Sequence, residues 1–214
     1  MMASMRITKF GHACVRLEHD GQTLVIDPGS FTERDALDGA SAVLVTHEHA
    51  DHVDLDHLRA TDAPIYTIDA VAQQLAQAPE VRERVTVVAP GESFDAGLPV
   101  QAVGEWHAVI HEELPRFYNS GYVVTGGDTS VYHPGDSFTT PDRPVDVLLA
   151  PVSGPWLKLA EAIDFARAVG APRNLAIHEL VNSDIGLSLT DGRMEAMLGE
   201  RGLGYQRVAA GSDF

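Results

Sequence analysis

The chain has 214 residues, of which 44% are hydrophobic and 21% charged, with 31 acidic against 15 basic residues and a net charge of −16. This size and balance suit one globular domain over residues 1–214 with a full core. A lone cysteine, Cys14, excludes an internal disulfide and a thiolate metal cage, no apolar run is long enough for a membrane helix, and the acidic surface disfavours nucleic acid.

The start, MMASMRITKF, lacks the apolar segment of a secretory signal, so a cytoplasmic location is expected, and Met1–Ser4 reads as a dispensable leader because Met5 could equally begin the chain. RITKF and ACVRLE are strand-like, and the Asp-Gly pair within His19–Gln22 predicts a hairpin turn before TLVID. Ala42–Val45 is a short apolar run, as expected of a strand covered on both faces. A brief helix around Leu55–Arg59 follows. PIYT and VTVV read as strands flanking a helix whose apolar positions are Val71, Leu75 and Ala78. Further strands are predicted in PVQAVGEW, GYVVT, SVYH and VDVLLA, joined by Gly, Pro and Asp turns. Leu159, Ile163, Ala166 and Val169 mark one face of a helix stopped by Gly170 and Pro172. NLAI is a strand, Leu189–Leu198 a weaker helix and YQRV a last strand. Strands first, helices late in each half: that order predicts two sheets covered by helices.

THEHADH, Thr46–His52, follows the apolar run Ala42–Val45 directly. In an extended segment residues two apart point the same way, so His47 and His49 can converge on one cation, with Glu48 and Ala50 facing away. Asp51 and His52 can turn toward a second cation close by. Imidazole and carboxylate donors suit Zn, Fe, Mn or Co. More ligands are available where other predicted strands run out: His107 or His111 in GEWHAVIH, His133 and Asp136 in YHPGDS, and His178 in NLAIHEL. His19 and His57 read as exposed bystanders, and Cys14 as a small core residue.

The order HEHADH, strand-end His, GDS, strand-end His resembles the metallo-β-lactamase superfamily over most of the chain. GHACVRLE followed by LVIDPG is similar to its N-terminal hairpin, particularly in the ascorbate-6-phosphate lactonase-like branch. The resemblance implies an α/β fold, a four-layer αβ/βα sandwich with a metal site at one edge. It implies His47, His49 and His107 on a first metal, Asp51, His52 and His178 on a second, and Asp136 bridging both, with His111 a rival to His107. Asp27, in IDPG, is either a carboxylate holding a ligand imidazole in the right tautomer or a turn residue before Pro28. His12 is either near the pocket, touching substrate, or packed within the hairpin.

Two divalent cations, zinc first with manganese or iron as alternatives, would share a hydroxide for hydrolysis of a small lactone, ester, thioester or phosphoester. Asp51 would orient that hydroxide, and His111 or His133 could protonate the leaving group. True β-lactamases of the dizinc type carry Cys where Asp136 stands, so that activity is not expected. Trp156 and Lys158 open a predicted helix near the site, and Lys158, one of only two lysines, could bind a substrate carboxylate or phosphate there. The expected partner is a small molecule, anionic where Lys158 binds it, with no nucleic acid, no membrane and a homo-oligomer allowed. The alternatives are an iron-dependent oxidoreductase-like site and a non-catalytic metal-binding domain on the same fold.

Overall fold

The computed structural model describes residues 4–214, so Met1–Ala3 of the expected leader lie outside the described residues. The first sheet carries β1 (Arg6–Lys9), β2 (Val15–His19), β3 (Gln22–Ile26), β4 (Ala42–Val45), β5 (Ile65–Thr67) and β6 (Val85–Val87) side by side in chain order. The second carries β7 (Ser93–Asp95), β8 (Pro99–Val103), β9 (Gly121–Gly126), β10 (Thr129–His133), β11 (Val147–Pro151), β12 (Arg173–Ile177) and β13 (Gly204–Gln206). A short β14 (Ser212–Asp213) returns to pair with β1.

Each sheet begins antiparallel and turns parallel, from β3 to β6 and from β10 to β13. Most of the parallel joints need crossovers, and these are the helices: α1 (Leu55–Arg59), α2 (Asp69–Gln74) and α3 (Pro79–Arg82) on the first sheet, α4 (Leu159–Val169) and α5 (Asp184–Gly199) on the second. Ile7, Leu17, Leu24 and Leu44 meet Val124, Val131, Leu149 and Ile177 in a core between the sheets. Val25, Val43 and Ile65 pack on Leu58, Val71 and Val81 outside the first sheet, and Leu148, Ala150 and Ala176 pack on Phe165, Met194 and Leu198 outside the second. The result is the predicted four layers. In β4, Ala42 and Leu44 enter the central core while Val43 and Val45 enter the outer one, which is why this strand reads as an unbroken apolar run.

The β2–β3 turn has φ 48° at Asp20 and 77° at Gly21, the left-handed pair that a tight hairpin demands. The helix expected through Val71, Leu75 and Ala78 is broken. Pro79 starts α3, and the residue before a proline is pushed out of the helical region, so Ala78 sits at φ −125°, ψ 80°. The last helix runs longer than expected because the Ser183 side chain caps it, accepting from Gly186 N–H at 3.2 Å. Strands β7 and β14 escaped the pattern reading, being only three and two residues long. His19 and His57, expected on the surface, are both buried. Among the described residues no helix is long and apolar enough to cross a membrane.

Candidate metal centre

β1, β3, β4, β8, β10 and β12 all end at one edge of the sandwich, and the segments leaving those ends carry His12, Asp27, His47–His52, His107, Asp136 and His178 respectively. Three donor groups form there. One joins His47, His49, His107 and Asp136; a second joins His52, Asp136 and His178; a third joins His12, Asp51 and His178. In each group the donor atoms lie within 4.8 Å of one another. Asp136 belongs to two groups. Its Oδ2 lies 3.3 Å from His107 Nε2 and 3.2 Å from His178 Nε2, and its Oδ1 lies 3.1 Å from His52 Nε2. All seven expected ligands are thus brought together. His49 and Asp51 are half-buried and the other five are buried, so the cluster opens on the His49–Asp51 side.

Other polar groups set the orientation of the rings. Asp27 Oδ1 accepts the Thr46 N–H at 2.8 Å, and its Oδ2 accepts the Thr46 hydroxyl at 2.7 Å and His52 Nδ1–H at 2.7 Å. His52 Nε2 is left as the free lone pair, facing Asp136. With its proton given to Asp27, Thr46 Oγ1 accepts from His47 Nδ1–H at 3.0 Å, and His107 Nδ1–H donates to the Ala108 carbonyl at 2.6 Å. His47 and His107 therefore also present Nε2. His12 Nδ1 accepts the Leu180 N–H, so its Nε2–H donates to Asp51 Oδ2 at 3.2 Å. Asn119 Oδ1 accepts the Asp136 N–H at 3.0 Å while its amide donates to the Pro134 carbonyl, fixing the turn that carries the shared carboxylate.

The cluster fits a cation. Nε2 of His52, His107 and His178 and Oδ1 of Asp136 are buried without a hydrogen-bond partner, although carboxylate and imidazole come within 3.1–3.3 Å, because the angles are wrong for hydrogen bonds. Unsatisfied buried polar atoms cost about 1–3 kcal/mol each, and four aimed into one space mark a place for a Lewis acid. Without a cation, protons take that role. Burial opposes charge on His52 and His178, but the carboxylate of Asp136 more than offsets it, so His52 is raised well above its ordinary value and His178 to about 9. Burial alone would raise the Asp136 carboxyl, yet the facing imidazoles of His52 and His178 hold it well below the usual range. Burial keeps His47 neutral.

Four expectations about other site residues change. His133 is buried with both ring nitrogens spent, Nε2–H on the Ala13 carbonyl at 2.8 Å and Nδ1 accepting the Gly135 N–H at 3.0 Å, so it cannot hand a proton to substrate. His111 is exposed on the loop beyond the cluster, where Nδ1 accepts the Glu113 N–H, and it is in none of the donor groups; His107, one turn of chain earlier, is. His12 is fully buried behind Asp51 and does not face a substrate. Lys158 is 85% exposed, held near Glu161, and lines no cavity beside the cluster. Trp156 is buried with its ring edge-on to both His107 and His178 at 5.7 and 5.8 Å. Pattern reading missed Thr46, Asn119 and Arg116. Only Thr46 carried a signal, its place directly before the histidine motif.

A family model described as a beta-lactamase superfamily domain matches residues 6–178. Protein Rv0786c of Mycobacterium tuberculosis is 38% identical over 201 residues, 90% of this chain and 92% of that protein. A UPF0173 metal-dependent hydrolase of Methanoculleus marisnigri is 33% identical over 197 residues, covering 81% of this chain and 80% of its own. The structure of Igni18, a metallo hydrolase from Ignicoccus hospitalis, superposes with a TM-score of 0.75 at 19% identity, covering 98% of this chain and 97% of that one, a likeness of fold.

Proposed function

The chain belongs to the metallo-β-lactamase superfamily, as one of its UPF0173 metal-dependent hydrolases, and from that premise we propose that it cleaves a small lactone, ester, thioester or phosphoester with two divalent cations. One observation carries this reading: a single buried carboxylate, Asp136, is common to two donor groups. His47, His49 and His107 with Asp136 would hold one cation, and Asp51, His52 and His178 with Asp136 the other. The donors are all nitrogen or oxygen, which suits zinc first and manganese or iron after it. Bound there, the cations supply Lewis acidity toward the attacked oxygen and lower the pKa of a coordinated water toward about 7.

The chain's own residues do the rest. Burial would raise the Asp51 carboxyl, but the hydrogen bond from His12 and the adjoining His178 imidazole 3.4 Å away hold it far below the usual range, so it stays ionised and orients water instead of storing a proton. His12, lowered to about 4 by burial, is neutral at pH 7 and gives Asp51 a fixed N–H. Asp27 and Thr46 keep His47 and His52 in the tautomers that leave Nε2 free. His133 has both ring nitrogens engaged, so the leaving group would draw its proton from water at the centre or from His111 on the exposed loop. The hairpin motif Gly11–Glu18 supports a lactonase-like branch, and the net charge of −16 supports a small substrate over a polymer and argues against nucleic acid.

Metal analysis of aerobically purified protein, paired with a screen of lactone, thioester and phosphodiester probes, tests the proposal. Two equivalents of divalent metal are expected, with hydrolysis lost in both His49→Ala and Asp136→Ala. One iron per chain with oxygen consumption would replace hydrolysis by oxidation, and activity surviving His49→Ala would remove the site from the reaction.

A further inference from the structure

Two sizeable cavities open at the edge that carries the cluster. The larger, about 510 Å³, runs between Ile68, Val88 and Tyr118 and has none of the seven donors in its wall. The second, about 410 Å³, has His107 and Trp156 in its wall and lies within the range of small-molecule sites. Trp156 touches the rings of both His107 and His178, so anything lying against that indole has the cluster immediately beyond it.

Most of this wall is apolar and flat: Trp106, Phe138 and Trp156, with Val109. Trp106 is held in place by stacking on Tyr118 at 4.6 Å, and Phe138 by packing on Trp156 at 5.2 Å. One cation faces the cavity, Arg116. Its Nε–H donates to the His107 carbonyl at 3.3 Å and its guanidinium lies 5.2 Å over the Trp106 ring. These contacts fix the plane of the group and leave Nη1 and Nη2 without a hydrogen-bond or carboxylate partner among the described residues. Of the other polar groups of the wall, the Ser137 and Thr139 hydroxyls bond each other at 2.9 Å and Glu161 accepts the Lys158 N–H at 2.7 Å, while the indole Nε1–H of Trp156 is buried without a partner. The Glu161 carboxylate nonetheless places negative charge in the same wall, which works against a ligand carrying two negative charges.

We propose that this cavity binds the substrate as a monocarboxylate with a flat apolar body, the body between Trp106 and Trp156 and the carboxylate on the Arg116 fork. An unpaired guanidinium matches a carboxylate with two parallel N–H···O bonds, and its anchoring through His107 ties the acid end to the residue whose ring faces Asp136. The inference rests on the hydrolase reading for its meaning and deepens it: the susceptible bond would belong to an aryl or similarly flat acid, and a phosphomonoester would be a poor fit.

The test is binding, measured by calorimetry or NMR titration, of phenylacetate and of its neutral counterpart 2-phenylethanol, on metal-loaded and chelator-treated protein. Arg116→Gln is expected to weaken phenylacetate about tenfold or more and leave 2-phenylethanol unchanged, with Arg116→Lys in between. The same pattern is expected after chelation, which separates the arginine from carboxylate–metal contact. Equal phenylacetate binding by wild type and Arg116→Gln, or equal losses for both probes, would overturn the assignment. The two readings fail separately: absence of hydrolysis in every screen with this binding pattern intact would sink the hydrolase and leave the cavity's ligand class standing.

Discussion

His12, Asp27 and His178 hold φ values of 57°, 52° and 60°, a region that residues other than glycine seldom occupy, and all three stand at the metal centre. Each such backbone costs on the order of 1–3 kcal/mol and persists only where surroundings over-determine it. The surroundings are visible: the His178 N–H donates to the His12 carbonyl, and Asp27 takes three hydrogen bonds from Thr46 and His52. The same crowding sets the protonation of the cation-free site. A pKa raised to about 9 means that His178 carries its proton at pH 7, and His52, raised by the same carboxylate, carries one too. A cation must displace these protons, so its apparent affinity should climb as pH rises toward about 9 and fall in acid. Zinc binding at pH 7 is expected to release at least one proton, seen as a binding enthalpy that differs between buffers of different ionisation enthalpy. Identical enthalpies in the two buffers would show that the imidazoles are already free. His12, lowered to about 4, takes no part in this exchange.

Each ligand-bearing segment leaves the same edge because β1, β3, β4, β8, β10 and β12 run in one direction, and the segments need room to cross. Gly29 supplies some of it. A Cβ there would stand 2.0 Å from the Asp51 carbonyl oxygen, where Ser30 N–H bonds the Ala50 carbonyl and Asp54 N–H the Pro28 carbonyl. Gly135 does the same for the Asp136 turn: its φ is 61°, and a Cβ would meet Asn119 Oδ1 at 2.3 Å. Gly29→Ala is therefore expected to shift the Asp51–His52 backbone, lowering stability by about 1–3 kcal/mol and reducing bound metal. Thermal melting and metal content check this, and an unchanged pair of values would mean that the loop yields without cost. The elements themselves were legible where a pattern had length to repeat: the alternation of β2, the apolar run of β4 and the face of α4. Among the short edge strands, β6 and β13 were legible in VTVV and YQRV while β7 and β14 were not, and the helix break at Ala78–Pro79 depended on a local clash that apolar spacing ignores.

At the scale of the whole molecule the centre is a link between sheets. His47, His49, Asp51 and His52 come from the first sheet, His107, Asp136 and His178 from the second, and each donor group that contains Asp136 takes members from both. Cations that bind only this arrangement stabilise the fold by mass action, about 2.7 kcal/mol at a free concentration one hundred times Kd. For a chain of this size that is about 5–10 °C, so chelator-treated protein is expected to melt lower by that much and to recover on adding zinc. An unaltered melting temperature on chelation would separate the cluster from the stability of the sandwich. Candidate donors could be listed from the chain because metal chemistry restricts which side chains serve and because each sits just beyond an apolar strand that a core must bury; the resemblance to the superfamily chose the seven among them, with His111 left as a rival to His107. Their convergence was decided by the packing of two sheets, which no spacing along the chain encodes. The same is true of the roles that changed: His133 was spent on a carbonyl, that of Ala13, 120 positions away, and Arg116 became a cavity cation because of the neighbours Trp106 and His107 provide. Donor identity is a property of single side chains and strand pattern of short segments, so both are written locally; occupancy, exposure and free charge are set by contacts between segments far apart, and only the folded chain has those.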